Sequence, residues 1–343
     1  MKKTTLPSSF LQGHAAKLLA EHLQANSYGS VHILVDENTK KHCLPLLKGN
    51  YPVILIKSGE ANKSIKTCEK IWSALESQGA SRHSLLVNLG GGLLCDLGGF
   101  AASVYMRGMA FIHIPTTLIA QGDSCLGGKT GINFLHYKNH LGAFAEPACV
   151  ILDTAFFTSL PKRELISGYA ELLKHGLIAK RSLWKLLEQA TLKIEPDLIQ
   201  KSLACKLAIV RKDPHEKGLR KLLNFGHTIG HAIESAYLRK DQPLLHGEAV
   251  AAGIICESYL SYFHGGLSKK AFEAICEKME RFIPLPEVPQ TMHRSLLTLM
   301  RKDKKNKDKR INFSLLNGIG KASIDHYLDE EAIVASLHFY SSR

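Results

Sequence analysis

The segment Ser84–Phe100, SLLVNLGGGLLCDLGGF, passes from an apolar strand-like run through three consecutive glycines into a helix-like run. Backbone without Cβ atoms lets a pyrophosphate come close, and the N–H groups and dipole at a helix start favour its negative charge. Read as G-x-G-x-x-G, the motif is met by Gly90 and Gly92, while Cys95 stands at the third place. No acidic residue closes the following strand-like run, which stops at Pro115. Alone, the segment fits a plain structural turn as well as a cofactor loop.

Working outward, short apolar runs alternate with helix-like stretches from Val31 to Asp153: VHILV, PVILIK, SLLVNL, AFIHI and ACVIL. This is the pattern of parallel strands joined by crossover helices. After Pro161 strand-like runs nearly vanish and a 3.6-residue period dominates, with INFSLL near Ile311 as a strand seeking a partner. The expected division falls near residues 153 to 161, giving an α/β domain over 1–155 and a mostly helical domain over 156–343. A chain of 343 residues, 45% hydrophobic and 22% charged, suits two cores better than one.

Thr116 and Thr117 follow the run AFIHIP at a strand end, where hydroxyls can meet a ligand at the mouth of an open sheet. In GGKTG, Lys129 lies among Gly127, Gly128 and Gly131, so an ammonium and backbone donors can face an anion. It is not a P-loop, because G-x-x-x-x-G-K is absent, and nucleotide hydrolysis loses its main support.

The formal charge of +13 attracts polyanions, and RKDKKNKDKR, Arg301 to Arg310, is its densest cluster. That run is interleaved with Asp303 and Asp308 and lacks aromatics for base stacking, so the expectation is no nucleic acid and a small anionic ligand instead. The eight cysteines are dispersed, as in a reducing cytosol, and leave any metal to His and carboxylate. Thr4, Pro7, Ser8, Gly13 and His14 interrupt any signal-peptide-like apolar stretch, and no run approaches the roughly 20 residues of a membrane helix. The expectation is a cytoplasmic protein without a membrane partner.

Candidate metal ligands cluster downstream. Glu171 lies in SGYAELLKHG, His227 and His231 in LLNFGHTIGHAIE, and His246 in LLHGEAV. His227 and His231, four apart, share a helix face, as do Glu171 and His175. A catalytic zinc wants three N/O ligands and an open position. Spacing does not choose among His175, His227, His231 and His246, and each could equally be a hydrogen-bonded core residue.

The strings SGEANKS (Ser58–Ser64), GGGLLCDLGGFAASVYMRG (Gly90–Gly108), IPTTLIAQGDSCLGGKTGIN (Ile114–Asn133), YKNHLGAF (Tyr137–Phe144), GYAELLKHG (Gly168–Gly176), KGLRKLLNFGHTIGHAIE (Lys217–Glu234), LHGEAVAAG (Leu245–Gly253) and the DKK at Asp303 resemble the successive signatures of 3-dehydroquinate synthases. The resemblance spans most of the chain. It implies a Rossmann-like NAD-binding domain followed by a helical metal-binding domain, as in the related iron-type alcohol and glycerol dehydrogenases. It makes Glu171, His227 and His246 the ligands of one divalent metal, zinc or cobalt, leaving His231 to face substrate and His175 behind the ligands. NAD contacts fall on Ser58, Glu60, Lys63, the Gly92–Asp96 turn, Thr116, Thr117, Lys129, Lys138 and the stretch from Phe156 to Ser159.

The same resemblance gives a phosphorylated sugar acid to Asp123, Lys129, Asn139, Lys174, Lys206, Arg220, Asn224, His231 and Lys304 or Lys305. A phosphate and a carboxylate on one ligand demand several converging cations. Asp123, Lys129, Lys174 and His231 take the catalytic roles, and Arg107, in YMRG, is the arginine that reaches a neighbouring subunit's site, implying a homodimer. Two departures stand out. Cys95 replaces a usual glycine, which bears on the pyrophosphate loop, and Pro214 and His215 replace a more acidic pattern, which is expected to touch only a helix end. The implied reaction converts 3-deoxy-D-arabino-heptulosonate 7-phosphate to 3-dehydroquinate and phosphate by transient oxidation at C5, phosphate elimination, reduction and intramolecular aldol closure.

Overall fold

In β2 (Val31–Asp36), Ile33 and Val35 enter one apolar cluster while Leu34 enters another, so side chains on both faces of the strand are enclosed. That is the condition of a parallel sheet covered on both sides, and it explains why these strands read as continuous apolar runs. The computed structural model describes residues 10–135, 137–191, 194–237, 243–301 and 310–343. The chain divides into two compact units, 1–161 and 162–343. The turn Thr154–Ser159 buries Phe156 in the core of the first unit.

The first unit runs β1 (Phe10–Gln12), α1 (Ala15–Ala25), β2, α2 (Glu37–His42), β3 (Val53–Ile56), α3 (Ile65–Ser77), β4 (Leu85–Gly90), α4 (Gly92–Val104), β5 (Ala110–Pro115), β6 (Lys129–Phe134), β7 (Tyr137–Phe144) and β8 (Cys149–Leu152). Six parallel strands lie in the order β1-β8-β5-β4-β2-β3. Central β4 is buried at every residue. On one face α3 and α4 supply Cys68, Ile71, Leu75, Leu94, Leu97 and Ala101. On the other, Leu19 of α1, Leu47 and Phe156 cover Leu85, Val87, Ile112 and Ile114. Local chemistry sets the helix starts: Asp36 and Thr39 form a reciprocal cap on α2, and Ser64 accepts from Thr67 N on α3.

Two strand features of this unit were not expected. β1 pairs with β8, Phe10 opposite Val150. β6 and β7 form a separate antiparallel hairpin, so the GGKTG segment that reads as an anion loop is in large part a strand.

The second unit comprises α5 (Lys162–Ala179), α6 (Arg181–Gln189), α7 (Pro196–Lys212), α8 (His227–Tyr237), α9 (His246–Leu260), α10 (Lys269–Phe282), α11 (His293–Arg301), the antiparallel pair β9 (Ile311–Gly318) and β10 (Lys321–Leu328), and α12 (Glu330–Ser341). α9 is buried almost throughout and packs on α5, α8, α10 and α12, so it is the core of this unit rather than an amphipathic surface helix. Glycines set how close its neighbours come. A Cβ on Gly253 would lie 2.0 Å from Gly226 O, and one on Gly247 would lie 1.9 Å from Ser167 O of α5. Gly230 of α8 is similarly tight, 3.0 Å from Ala249 O. Three backbones thus approach as only glycine permits. Among the described residues no helix is long and apolar enough to cross a membrane.

Candidate functional site

In the second unit, α5, α8 and α9 bring together Glu171, His227 and His246. Glu171 Oε1 lies 3.3 Å from His227 Nε2 and 3.2 Å from His246 Nε2. Ligand atoms around a tetrahedral zinc, with bonds of about 2.0–2.1 Å, stand about 3.3 Å apart. His227 Nδ1 lies 3.1 Å from Phe225 O, which can only accept, so Nδ1 carries the ring proton of a neutral imidazole and Nε2 presents a lone pair. Burial and the nearby Lys174 hold the His227 pKa below its ordinary value, which favours that neutral ring. Two acceptors, a carboxylate oxygen and an imidazole lone pair, then face each other 3.3 Å apart in a buried place. A bound cation reconciles them, and the donor set suits a divalent ion of the zinc type.

Glu171 and Lys174 are buried, and Lys174 Nζ lies 2.5 Å from Glu171 Oε2. Burial alone would raise the Glu171 carboxyl, but Lys174 and the two imidazoles hold it well below the usual range, keeping it a charged carboxylate. Burial would lower His246, yet Glu234 and Glu171 raise it to about 10.

His231 follows His227 by one helical turn, with ring centroids 5.0 Å apart, and is exposed. The three histidines His227, His231 and His246 could themselves group around an ion, with one nitrogen of each within 4.8 Å of the others. The nitrogen-to-carboxylate separations of 3.2 and 3.3 Å favour the set with Glu171. His175 is fully buried with Nδ1 2.7 Å from Ser202 Oγ on α7, behind Glu171 on the same helix.

Lys206 of α7 and Arg220 are buried. Arg220 Nη1 donates to Pro214 O at 2.5 Å, and Asn224 Nδ2 donates to Glu216 Oε1 at 2.7 Å. Asp213 accepts backbone N–H groups of Lys217, Gly218 and Arg220, which draws the loop into a tight turn. Pro214 therefore does more than end a helix, as the sequence suggested, because its carbonyl orients the Arg220 guanidinium. Lys304 and Lys305 lie outside the described residues.

In the first unit, the turn after β4 is as tight as its glycines suggest: a Cβ on Gly91 would meet Thr117 Cγ2 at 3.0 Å and one on Gly92 would meet Ser124 Oγ at 3.1 Å. Thr116 N donates to Gly90 O, so the ends of β4 and β5 stand together with Thr116 and Thr117 beside the glycine turn. Cys95 is buried, its Sγ 3.9 Å from Gly90 O. Close packing of α4 on the sheet falls instead to Gly98, whose Cβ would lie 2.0 Å from Asn88 Oδ1. The thiol therefore fills space under the turn.

Residues assigned separately to NAD and substrate form one network here. Lys63, buried, places Nζ 2.6 Å from Asp96 Oδ2 and 2.5 Å from Asn139 Oδ1. Asn133 donates to Glu60 Oε1 and accepts from Asn139 N, both at 2.9 Å. Asn133 was missed by sequence reasoning, although the GIN after Lys129 contained it. Ser58 N donates to Glu37 Oε2 at 2.7 Å. Lys138 lies on β7, Asp123 lies in the turn Ala120–Ser124, and Lys129 is exposed at the first position of β6. Phe156 is a core side chain, leaving only its backbone for a ligand, and Ser159 Oγ donates to Phe156 O. Met106 and Arg107 have φ of 49° and 66°, a left-handed pair of non-glycine residues that costs backbone energy and leaves Arg107 exposed.

Two family models match consecutive segments: the 3-dehydroquinate synthase N-terminal family over residues 53–167 and its C-terminal family over 168–306. A 3-dehydroquinate synthase of Parabacteroides distasonis is 42% identical, the match covering 94% of each chain. One of Pelagibacter ubique is 36% identical over 95% of this chain and 93% of its own. Among solved structures, 2-epi-5-epi-valiolone synthase from Streptomyces hygroscopicus, with NAD+ and Zn2+ bound, superposes with a TM-score of 0.85 at 26% identity, covering 100% of this chain and 99% of its own.

Proposed function

The chain belongs to the 3-dehydroquinate synthase family, and from that premise we propose that it turns 3-deoxy-D-arabino-heptulosonate 7-phosphate into 3-dehydroquinate and phosphate with NAD and one zinc or cobalt ion. The observation that carries this reading is the meeting of Glu171, His227 and His246 at 3.2–3.3 Å on three helices. NAD held at the Gly92–Asp96 turn would supply reversible hydride acceptance, and an ion held by Glu171, His227 and His246 would supply Lewis acidity toward an alcohol or ketone oxygen, which acidifies the neighbouring C–H.

The remaining roles fall to side chains. Lys174 neutralises one Glu171 oxygen and leaves the other for the ion. His231 holds or passes a proton at a ring nitrogen, a role supported by its exposure beside His227. Arg220 and Lys206 bind the carboxylate, with Asn224 orienting it, and Pro214 O keeps the guanidinium turned. Lys129, Asn139 and Asp123 are assigned to substrate on the family resemblance. Lys63, Asp96, Glu60 and Ser58, with Thr116, Thr117, Lys138 and the Gly92–Asp96 turn, serve NAD, and the segment from Phe156 to Ser159 does so by its backbone.

A homodimer is part of the same reading. Exposed apolar side chains at Val104 and Met106 beside Arg107, and at Phe134, Tyr137, Leu141 and Phe144 on the β6–β7 hairpin, support a second copy covering them. The eight cysteines, all buried and none in a disulfide, support residence in a reducing cytoplasm. The purified protein given substrate, NAD and zinc should release phosphate without accumulating NADH. Stoichiometric NADH would instead mark a simple dehydrogenase and refute the reading.

A further inference from the structure

Along α8, His227, His231 and Glu234 recur at i, i+4 and i+7, so one helix face carries all three. Glu234 is a carboxylate only 7% exposed in a helix otherwise apolar on its inner side. A buried charge of this kind needs a partner. Its Oε1 lies 3.5 Å from His246 Nδ1, while His246 Nε2 faces Glu171 Oε1 at 3.2 Å. The two ring nitrogens therefore address two carboxylates on opposite sides. Only the nitrogen shared with His227 and Glu171 can join them around an ion, which leaves Nδ1 to Glu234.

We propose that Glu234 is a positioning residue that fixes the tautomer and aim of His246 and strengthens it as a metal ligand. This inference rests on the metal reading given above. The two histidines are held differently. His227 donates its Nδ1 proton to a neutral backbone carbonyl, whereas His246 turns Nδ1 toward a charged carboxylate 3.5 Å away, whose charge makes its imidazole the more electron-rich donor. Glu234 also adds a second negative charge near the ion, since that of Glu171 is shared with Lys174. The backbone of His246 is set independently: Glu248, two residues on, accepts from Leu245 N at 2.9 Å and is clasped by Arg163 through Nε at 2.6 Å and Nη2 at 2.8 Å. The start of α9 is thus fixed without Glu234, and what Glu234 governs is the ring.

The test uses the full chain and zinc in competition with a chromophoric chelator, comparing the parent with Glu234→Gln and Glu234→Leu. Gln keeps an acceptor without charge and should weaken zinc binding about 10-fold, and Leu, with no acceptor, about 100-fold. The cobalt-loaded Leu variant should also show a shifted visible absorption band, which a role confined to packing would not move. Unfolding of the metal-free chains is followed in parallel, because removing one partner of a buried pair itself costs stability, and zinc affinity is compared only between chains that remain folded. If the parent holds zinc tightly and both variants match it within threefold, Glu234 has no such role. If the parent itself fails to hold zinc, the metal reading falls and this inference with it. Should the Leu variant not fold, the nearly isosteric Gln variant carries the comparison alone.

Discussion

Gly253→Ala should detach the metal before it unfolds the protein. The added Cβ would sit 2.0 Å from Gly226 O and 2.7 Å from Gly230 N, both backbone atoms that no rotamer change can move aside. Reaching an ordinary carbon-to-oxygen contact requires α8 and α9 to part by about 1 Å. His227 follows Gly226 directly and His246 begins the other helix, so the separation passes straight to the ligand atoms. Metal ligation tolerates about 0.2 Å, so a 1 Å displacement leaves one histidine out of reach and should weaken zinc binding at least 100-fold. Overpacking of a core by one methyl costs about 1–3 kcal/mol, which the helical unit can absorb. Chelator competition reads the first effect and guanidinium unfolding of the metal-free chain the second. A variant that loses stability yet keeps its zinc dissociation constant within threefold would refute the claim that these glycines set the spacing of the site.

Three further outcomes are expected. Glu257, fully buried on α9, accepts Gly226 N at 2.6 Å and Ile229 N at 3.1 Å, capping the start of α8; Glu257→Gln should cost about 2–4 kcal/mol in denaturant unfolding, and a loss under 1 kcal/mol would contradict the cap. His113 is pushed by burial to about 3 from its ordinary 6.5, so the folded chain refuses a proton that the unfolded chain accepts. Its contribution is intact above pH 6.5 and is lost as pH falls toward 3, at up to about 1.4 kcal/mol per pH unit. In His113→Gln the acid limb of the stability profile should flatten by that slope between pH 6.5 and 5, and parallel profiles would disprove the assignment. Lys63→Met leaves Asp96 without its buried ammonium and should destabilise the first unit by about 2–4 kcal/mol with weakened NAD binding, measured by denaturation and by calorimetric titration.

The parallel sheet was legible because strands covered on both faces are apolar without interruption, and β2, β3, β4, β5 and β8 all fall on such runs. β1 escaped because three residues make no pattern, and β6–β7 because a mostly exposed strand such as YKNHLGAF has no buried face to make alternation visible. β10 is likewise disguised by an irregularity where Asp325 takes a φ of 63°. At the metal end, spacing singled out one glutamate and four histidines, but His175 and His231 match the same intervals as Glu171, His227 and His246. What separates them is tertiary: Ser202 lies against one, and solvent reaches the other. The carboxylates Glu234, Glu248 and Glu257 were overlooked because glutamate in a helix is ordinarily a surface residue. The available signal was in α9, where Glu248 and Glu257 stand in a helix with no Asp, Lys or Arg.

The pairing of β1 with β8 orders events during synthesis. The first-made strand of the six-stranded sheet has its neighbour in that sheet's last-made strand, so Phe10–Gln12 must wait for Cys149–Leu152 to emerge. At about 5–20 residues per second the intervening chain takes about 10–30 seconds to translate. Throughout that interval one edge of the nascent sheet stays open, and a ribosome stalled inside this unit would present β5 as an unprotected apolar edge to chaperones.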